Sequence, residues 1–354
     1  MLFRSDNITG VCPEVMAAIQ AANEGDAAAY GTDEYTARLG PAFSACFETE
    51  VIAHPVATGI AANALALATA MPPPAACLCH DHAHVFGTEC GAPEFFAGGG
   101  KLIGLSGRHG KLWPEDVARV LAAQDPKRLQ APPIAVVSIT QGAEAGTVYS
   151  LDHIAELSAI CRRHGVVLHM DGARFSNAFA ALGCTPAEIS WRAGIDILSY
   201  GATKNGAMCA DAVLIFRNSP HAASLDRWLG HRRLRAGQVF SKMRYISAQL
   251  LAMLEGELAR RNALHANAMA QRLSAGLRKL PGVVLVEATD INEVFVRLPD
   301  AVRDSLARGG FPVTGRPADP GLVRFVTGWN SRATDVDAFL AAASGGKAPG
   351  VAAG

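Results

Sequence analysis

The sequence predicts an α/β fold, with a large domain built on a mostly parallel sheet and a small C-terminal α/β domain. Short apolar strands alternate with helices through the middle of the chain, a pattern typical of a parallel sheet that is covered on both faces. Two of these strands are followed by groups suited to chemistry, Asp171 and Lys204. Open α/β sheets bind ligands at the carboxyl ends of their strands, so this edge is the expected site.

The bulk composition indicates a soluble globular protein with a sizeable interior. The chain has 354 residues, of which 50% are hydrophobic and 18% charged, enough for one large core and a smaller domain. Lys+Arg and Asp+Glu balance at 32 each, which disfavours nucleic acid and anionic membranes as partners. The start lacks a signal-peptide core, and the apolar stretch 57–71 is too short to span a bilayer. The eight cysteines form no CxxC pair, which indicates reduced thiols in the cytoplasm.

The N-terminal third contains loops and two helices. A polar loop at 5–10 precedes a helix that begins at Pro13, and a second loop contains Tyr30. Thr58, Gly59 and Ile60 then begin an Ala/Leu-rich helix that ends near residue 71. Small residues at a helix start allow backbone N–H groups and the positive end of the helix dipole to approach a phosphate. A plain N-cap is the commoner explanation of such a segment.

The segment from Cys77 to His84 is rich in potential metal ligands. It lacks the CxxC…HxxxH spacing of structural zinc sites, and alternation along a strand would send neighbouring ligands to opposite faces. We therefore expect no metal site. The segment is better interpreted as a strand followed by a loop that carries His84, with Glu89 shortly after it.

The alternation of strands and helices becomes clear after residue 100. The predicted strands are 101–105, 134–140, 166–171, 195–200 and 210–216, and the predicted helices are 114–123 and 151–165. The basic stretch 227–244 is either a solvated helix face or a cationic loop that reaches a neighbouring subunit's phosphate.

The C-terminal part is predicted as a second domain. The predicted boundaries are 1–245 for the large domain and 246–343 for the small one, joined by one long helical region from 245 to about 280. The small domain should contain strands at 283–286, 293–298 and 322–326 and helices near 302–308 and from Asp335. Residues 344–354 are rich in Gly and Ala and are predicted to be disordered.

A carboxylate and an amine at the ends of neighbouring parallel strands suit an enzyme that uses pyridoxal 5'-phosphate (PLP). Lys204 could form a Schiff base, and Asp171 could keep the pyridine nitrogen protonated. A capping aspartate and a solvated lysine explain this pair alone at least as well, so the other motifs have to decide.

Those motifs occur in a characteristic order: Ser5-Asp6-Asn7, Tyr30-Gly31, Thr58-Gly59, His84 with Glu89, His169 to Arg174, and Thr203 to Gly206. With them the chain resembles the low-specificity L-threonine aldolases over nearly its whole length, in particular the pseudomonad-type, phenylserine aldolase-like branch. The resemblance implies the aspartate aminotransferase-like fold, fold type I of PLP-dependent enzymes. It also implies an aldehyde-lyase that cleaves L-threonine, L-allo-threonine and related β-hydroxy-α-amino acids, such as phenylserine, reversibly to glycine and an aldehyde.

The resemblance also implies roles for individual residues. Lys204, Asp171 and His84 would be catalytic: Lys204 would carry PLP, Asp171 would pair with its ring nitrogen, and His84 would stack on the ring. The implied cofactor-binding set is completed by Thr58, Gly59, Ile60, Arg174 and Thr203. A basic residue of the 233–242 stretch, of which Arg235 is our choice, would reach the site of the adjacent subunit in a dimer or, as we expect, a homotetramer (a dimer of dimers). The implied substrate-binding residues are Ser5, Tyr30, Gln141, Arg174 and Arg324, of which Ser5, Arg174 and Arg324 would clamp the carboxylate.

Two positions depart from the family pattern. Ile60 replaces a threonine that would offer a hydroxyl to the phosphate, so backbone amides must bind more of it. Gln141 replaces a histidine near the substrate's β-hydroxyl, and glutamine cannot take a proton at neutral pH. His84 is therefore the better candidate for the base, directly or through water.

Other functions fit the same motifs. Another fold type I enzyme, such as an aminotransferase or a β-eliminating lyase, would share them, because bond choice depends on small differences in side-chain placement. A binding protein that kept the fold, or a metal-binding protein using residues 80–84, is the non-enzymatic alternative.

Overall fold

A seven-stranded sheet forms the centre of the larger part of the protein. The computed structural model describes residues 2–125, 127–316 and 319–346. The strands of this sheet are β1 (Val51–Val56), β2 (Ala76–His80), β3 (Lys101–Leu105), β4 (Ile134–Thr140), β5 (Val167–Gly172), β6 (Ile197–Gly201) and β7 (Asp211–Phe216). Their order is β1-β7-β6-β5-β4-β2-β3. Only β7 runs antiparallel to its neighbours, so the prediction of a mostly parallel sheet is confirmed.

The described helices cover both faces of this sheet and pack beside a second, smaller sheet. In chain order they are α1 (Pro13–Ala21), α2 (Glu34–Phe47), α3 (Gly59–Ala70), α4 (His84–Gly87), α5 (Ala92–Phe96), α6 (Pro114–Ala122), α7 (Leu151–Arg163), α8 (Phe175–Leu182), α9 (Ala222–Arg235), α10 (Arg244–Leu254), α11 (Leu258–Leu277), α12 (Asp300–Arg308) and α13 (Ala333–Ala343). Short 3₁₀ turns lie at Asp6–Ile8 and Thr203–Asn205.

Successive side chains of each strand point to opposite faces of the large sheet, so the large core has two layers. Leu168 and Met170 of β5 pack in the layer that contains α2, α7 and α8, whereas Val167 packs in the layer that contains α3. Most side chains of α3 are buried, as expected for an apolar helix that lies across the middle of a sheet. The α3 layer is the one that Asp171 faces, because residues 167, 169 and 171 share one face of the strand.

The smaller sheet is antiparallel and lies near the C-terminus. Its strands, β8 (Val284–Leu285), β9 (Glu293–Arg297) and β10 (Leu322–Val326), have the order β10-β9-β8. The N-terminal segment joins this part: the backbone N–H of Val326 donates to the carbonyl of Phe3 at 2.8 Å. The Phe3 ring packs edge-on against Phe339 of α13, with 5.5 Å between ring centroids.

The helical region predicted from 245 to about 280 consists of two separate helices, α10 and α11. The chain breaks between them at Gly256 and Glu257, which have positive φ angles of 55° and 60°, a conformation that glycine adopts without steric cost. Residues of α10 pack in the large core, and the core of the small sheet includes α11 only from Ala270 onward. The domain boundary stays a prediction, and this packing favours a position inside α11.

The remaining expectations concern the chain end and membranes. Of the tail predicted to be disordered, residues 347–354 lie outside the described residues. Across the described parts of the chain, every helix is too short or too polar to cross a bilayer.

Candidate active site

The two predicted chemical groups lie at one edge of the large sheet. β5 and β6 are parallel neighbours, and Asp171 is in register with Ser199. Lys204 lies in the 3₁₀ turn that follows β6. Asp171 is buried and Lys204 is half-buried. The fold therefore places a buried carboxylate and an accessible amine at the carboxyl ends of adjacent strands.

Asp211, the first residue of β7, holds the lysine turn. Its carboxylate accepts hydrogen bonds from the backbone N–H of Ala202 at 2.9 Å and from the Thr203 hydroxyl at 3.1 Å. Burial raises the pKa of Asp211 to about 6, against the lowering effect of these hydrogen bonds. The Thr203 hydroxyl, predicted to bind the cofactor, is thus engaged within the turn and fixes the backbone that carries Lys204.

A single side-chain amide connects Asp171 to the histidine loop. Asn63 of α3 donates from Nδ2 to Asp171 Oδ2 at 3.0 Å and to Glu89 Oε1 at 2.8 Å. The same Glu89 oxygen lies 2.8 Å from Nδ1 of His84, and the backbone N–H of Ala173 donates to Asp171 Oδ1 at 3.0 Å. We call His84, Glu89, Asn63 and Asp171 the amide network. Asn63 was not predicted, and its one signal in the sequence is a polar residue within an apolar helix.

Two groups of the amide network, His84 and Glu89, have raised pKa values. The hydrogen bond to Glu89 raises the pKa of His84 above its ordinary value, and burial raises the pKa of the Glu89 carboxyl. The His84 side chain is 36% exposed, whereas Glu89 is fully enclosed. His84 can therefore exchange a proton with a ligand while Glu89 stabilises the protonated ring through its contact with Nδ1.

His169 lies beneath Asp171 on the same face of β5. Its ring nitrogens are 2.9 Å from Ser138 Oγ and 3.0 Å from Ser199 Oγ, which belong to the two neighbouring strands. Burial lowers the pKa of His169 to about 4. The ring is neutral at physiological pH and forms an uncharged floor to this part of the site.

A second group of charged residues follows β5. Arg174 donates from Nε and Nη2 to the two oxygens of Asp6, at 2.8 and 3.0 Å, and both residues are buried. Asn292 donates to Asp6 Oδ2 at 3.0 Å. Burial would raise the pKa of Asp6, but the charges of Arg174 and Lys204 and these hydrogen bonds hold it below its ordinary value. The N-terminal segment thus supplies the counter-ion of Arg174.

Glu293 connects Arg174 to Arg324. Its Oε2 lies 3.4 Å from Arg174 Nη1 and its Oε1 lies 3.4 Å from Arg324 Nη1. We call Asp6, Arg174, Glu293 and Arg324 the ion-pair network. It brings together the two arginines predicted to bind a substrate carboxylate. Ser5, the third member of that predicted clamp, precedes Asp6 and accepts a hydrogen bond from the Asn7 N–H at 3.1 Å.

The start of α3 is open. Thr58 is the N-cap, accepting from the Ala61 N–H at 3.1 Å. Thr58 and Ile60 are exposed, and a side chain added at Gly59 would meet nothing within 4 Å. The helix begins directly after β1, which has the same direction as β6. The first N–H groups of a helix have no intrahelical acceptor, so this end offers donors to an anion at the same edge of the sheet.

Three predicted residues lie apart from these networks. Tyr30 is 63% exposed, and Arg235 is exposed at the end of α9. Gln141 is fully buried. Its amide accepts from the N–H of Tyr149 and donates to the carbonyl of Tyr149, both at 2.9 Å. Gln141 therefore fixes the loop that ends at Tyr149, and Tyr30 and Arg235 lie on the surface of this chain.

A cavity of about 550 Å³ adjoins both networks. It is lined by His84 of the amide network, by Arg324 of the ion-pair network and by Glu144. Residues 2–4 and 310–316 form much of the remaining wall. A small ligand in this cavity could contact a proton-exchanging imidazole and a guanidinium together.

The potential metal ligands of the β2 region have other partners. Within the described residues, His80, Asp81 and His82 have ligand atoms within 4.8 Å of one another. The ring nitrogens of His80 are engaged by backbone groups of Gly107 and His82 at 3.0 to 3.1 Å. This use of His80 favours a structural role for the cluster.

Comparisons with known proteins show the family of the chain. The Beta-eliminating lyase family matches residues 3–301. The chain is 41% identical to the low specificity L-threonine aldolase of Pseudomonas sp. (strain NCIMB 10558), covering 96% of this chain and 98% of the relative. It is also 41% identical to that of Pseudomonas aeruginosa, covering 95% and 94%.

Solved structures agree as well. The threonine aldolase of Leishmania major superposes with a TM-score of 0.88 at 25% identity, covering 96% of this chain and 98% of that one. The serine palmitoyltransferase of Sphingomonas wittichii, at 18% identity and a TM-score of 0.71, covers 97% and 86% and shares the fold, which is fold type I of PLP enzymes. The chain belongs to the beta-eliminating lyase family and, within it, to the low-specificity L-threonine aldolases, which are carbon–carbon lyases.

Proposed function

We propose that the chain is a PLP-dependent aldolase that cleaves L-threonine, L-allo-threonine and related β-hydroxy-α-amino acids, such as phenylserine, reversibly to glycine and an aldehyde. The observation that carries the proposal is the meeting of two networks at one sheet edge: His84 and Asp171 in one, Arg174 and Arg324 in the other. Lys204 lies at the same edge. The names of the Pseudomonas relatives point to the same reaction.

The donor set fits PLP. Asp171 receives two N–H donors and so suits a protonated ring nitrogen, Lys204 is a nucleophilic amine, and the open start of α3 suits a phosphate. Within the described part of the chain, Asn63 Oδ1 and Glu89 Oε2 are buried without a hydrogen-bond partner, which supports a ligand beside the amide network. When bound, PLP supplies an electron sink for the charge that develops at Cα as the Cα–Cβ bond breaks.

The two arginines of the ion-pair network bind and orient the substrate. Arg174 and Arg324 present guanidinium groups to the α-carboxylate, for which arginine is better suited than lysine because its donors match a carboxylate pairwise. The Ser5 hydroxyl is a third donor. A fixed carboxylate leaves the amino acid one orientation, which selects the bond that breaks.

His84 moves the proton. It takes the β-hydroxyl proton, directly or through water, and Glu89 stabilises the resulting imidazolium through Nδ1. Gln141 does not contact the substrate itself, because its side-chain amide is hydrogen-bonded to the backbone of Tyr149. It supports the site by fixing that loop. The substituent on Cβ occupies the cavity beside His84 and Arg324.

Assembly completes the site. The exposed positions of Tyr30 and Arg235 support contacts with a neighbouring copy, as in a homotetramer with shared sites. Light scattering of purified protein tests the tetramer, and a monomer that retains full activity would contradict it.

All eight cysteines are free thiols, which supports a reducing compartment, the cytoplasm.

The reaction is tested by incubating the PLP-loaded protein separately with L-threonine, L-allo-threonine and phenylserine. We expect glycine and the corresponding aldehyde from at least one of them. No glycine from any of the three refutes the proposal. Pyridoxamine phosphate, or pyruvate and ammonia from serine, would point to the aminotransferase or β-eliminating chemistry instead.

Lys204→Ala tests the attachment of the cofactor. Borohydride should fix PLP covalently to the wild-type protein and leave none on the variant, because the variant lacks the amine that binds the aldehyde. Peptide mass spectrometry checks the result. Cofactor fixed at another lysine of the wild-type protein would overturn the assignment.

A further inference from the structure

We propose that Glu293 competes with the substrate's carboxylate for Arg174 and Arg324, and so sets the affinity of the site for amino acids. The inference rests on the proposed function, in which those two arginines bind the substrate. It concerns a residue that has no role in the chemistry proposed above.

The geometry of Glu293 is that of a ligand. Its two oxygens contact one guanidinium each, Oε2 with Arg174 Nη1 and Oε1 with Arg324 Nη1, both at 3.4 Å. One carboxylate that bridges two arginines is the arrangement that a bound amino acid would need. Glu293 is buried at the start of β9, so it occupies this position from within the fold.

The contacts of Glu293 are looser than those of the structural counter-ion. Asp6 binds Arg174 through Nε and Nη2 at 2.8 and 3.0 Å, the range of a strong charge-assisted pair. In the described part of the chain, Glu293 Oε2 has no hydrogen-bond partner. Asp6 therefore fixes Arg174 through Nε and Nη2, and Glu293 contacts the remaining nitrogen, Nη1.

The second arginine is accessible to a ligand. The Arg324 side chain is 32% exposed, whereas that of Glu293 is 1% exposed. Arg324 also lines the cavity that His84 lines. A carboxylate that enters through this cavity reaches Arg324 first and meets Glu293 already bound to it.

Charge balance gives the direction of the effect. The two carboxylates and two guanidinium groups of the ion-pair network sum to zero, so an incoming carboxylate adds a negative charge that the network itself does not balance. The charged groups that face Glu293 are Arg174 and Arg324, which attract it, and Asp6 and Glu144, which repel it. Binding of a further carboxylate should therefore drive a proton onto Glu293.

Glycine is the probe, measured on the PLP-loaded protein. Calorimetry in two buffers of different ionisation enthalpy gives the dissociation constant and the number of protons taken up. We expect wild-type protein to take up protons with glycine. Glu293→Gln keeps the size of the side chain and removes its charge, so it should bind glycine roughly tenfold more tightly and take up fewer protons on binding than wild type does. KM for L-threonine should fall with it, and kcat should change less.

Three variants make the result decisive. Glu287→Gln, which removes the same charge from a carboxylate 2.8 Å from His109, should leave glycine binding unchanged. Arg324→Gln should weaken glycine binding. Where Glu293→Gln does not fold, Glu293→Asp withdraws the carboxylate from the arginines and should also tighten binding.

The outcomes separate the two claims. Unchanged or weaker glycine binding in both Glu293 variants, with weaker binding in Arg324→Gln, overturns the role of Glu293 and leaves the arginine clamp intact. No weakening in Arg324→Gln contradicts the clamp of the proposed function itself. Tighter binding in Glu287→Gln as well would mean that net charge alone sets the affinity, which also overturns the inference.

Discussion

The amide network and the ion-pair network begin three residues apart, at Asp171 and Arg174, yet they hold their charges by opposite means. Asp171 is held by neutral donors, the Asn63 amide and a backbone N–H. Arg174 is held by charged partners, Asp6 and Glu293. A carboxylate held by neutral donors keeps its charge for a ligand, whereas a group held by counter-ions has that charge already balanced. The first network suits a cofactor that stays, and the second suits a substrate that comes and goes.

The two networks also differ in how the fold builds them. The amide network comes from α3, the loop after β2 and the end of β5, all parts of the large sheet and its layers. The ion-pair network joins the N-terminal segment and the end of β5 to β9 and β10 of the small sheet. We therefore expect changes in the ion-pair network to affect the whole fold, and changes in the amide network to act more locally.

The largest effect should follow Asp6→Ala. The substitution leaves the buried Arg174 without its two short hydrogen bonds, and removal of one partner of a buried ion pair costs about 3–5 kcal/mol of the free energy of unfolding. Urea denaturation measures the loss. The matched control is Asp337→Ala, which breaks a similar two-point pair with Arg272 on the exposed surface and should cost far less. Equal losses would mean that the burial of the network is unimportant.

The buried, uncharged His169 beneath the amide network predicts that stability depends on pH. The pKa of His169 is about 4 in the folded protein and near 6.5 in an unfolded chain. The unfolded chain therefore binds more protons between these values, and the protein loses stability as pH falls from about 6.5 to 4, by about 3 kcal/mol. His169→Asn should lose less stability across this window than wild type does. The same dependence in both proteins would contradict a neutral His169.

Asn63→Ala should have a smaller effect on stability and a specific one on the cofactor. It deprives Glu89 and Asp171 of their shared donor, which costs about 1–3 kcal/mol, and it should weaken PLP binding, measured by fluorescence titration. Asn177→Ala removes a similar buried amide contact, 2.9 Å from Asn267, away from both networks. This control should lose stability alone, and an equal loss of PLP affinity in it would rule out a positioning role for Asn63.

Glu89→Gln should produce the smallest change, a shift of a pH profile. Glu89 raises the pKa of His84, so its loss lowers that pKa. A base must be unprotonated to act, so the acid limb of kcat/KM for L-threonine should move to lower pH in the variant. Profiles between pH 5 and 9 measure it. An unmoved limb would exclude His84 as the group that titrates there.

Much of the fold could be predicted from the sequence, and the exceptions have physical reasons. The strands from β3 to β7 are apolar runs bounded by polar turns, and each lies where the sequence predicts it. β1 and α2 escaped prediction. His54 and Pro55 interrupt the apolar run of β1, and α2 contains Gly40 and Pro41, residues that disfavour a helix interior.

The site was predictable only where a residue's role follows from its own position on the chain. Asp171 lies at the end of one strand and Lys204 follows another, so local pattern places them at the edge of the sheet. The roles of Asp6, Asn63 and Glu293 depend on partners 168, 108 and 31 residues away. Such contacts exist only once the chain has packed, and the sequence around each residue does not show which partner it will meet.

The Phe3–Val326 hydrogen bond and the Asp6 pairs with Arg174 and Asn292 have a consequence for biosynthesis. A ribosome makes Phe3 and Asp6 long before it makes two of their anchors, Asn292 and Val326. Domains fold in the order in which they leave the ribosome, so the large sheet can form while the segment waits undocked. The docking of this segment is therefore complete only after residue 326 has left the ribosome.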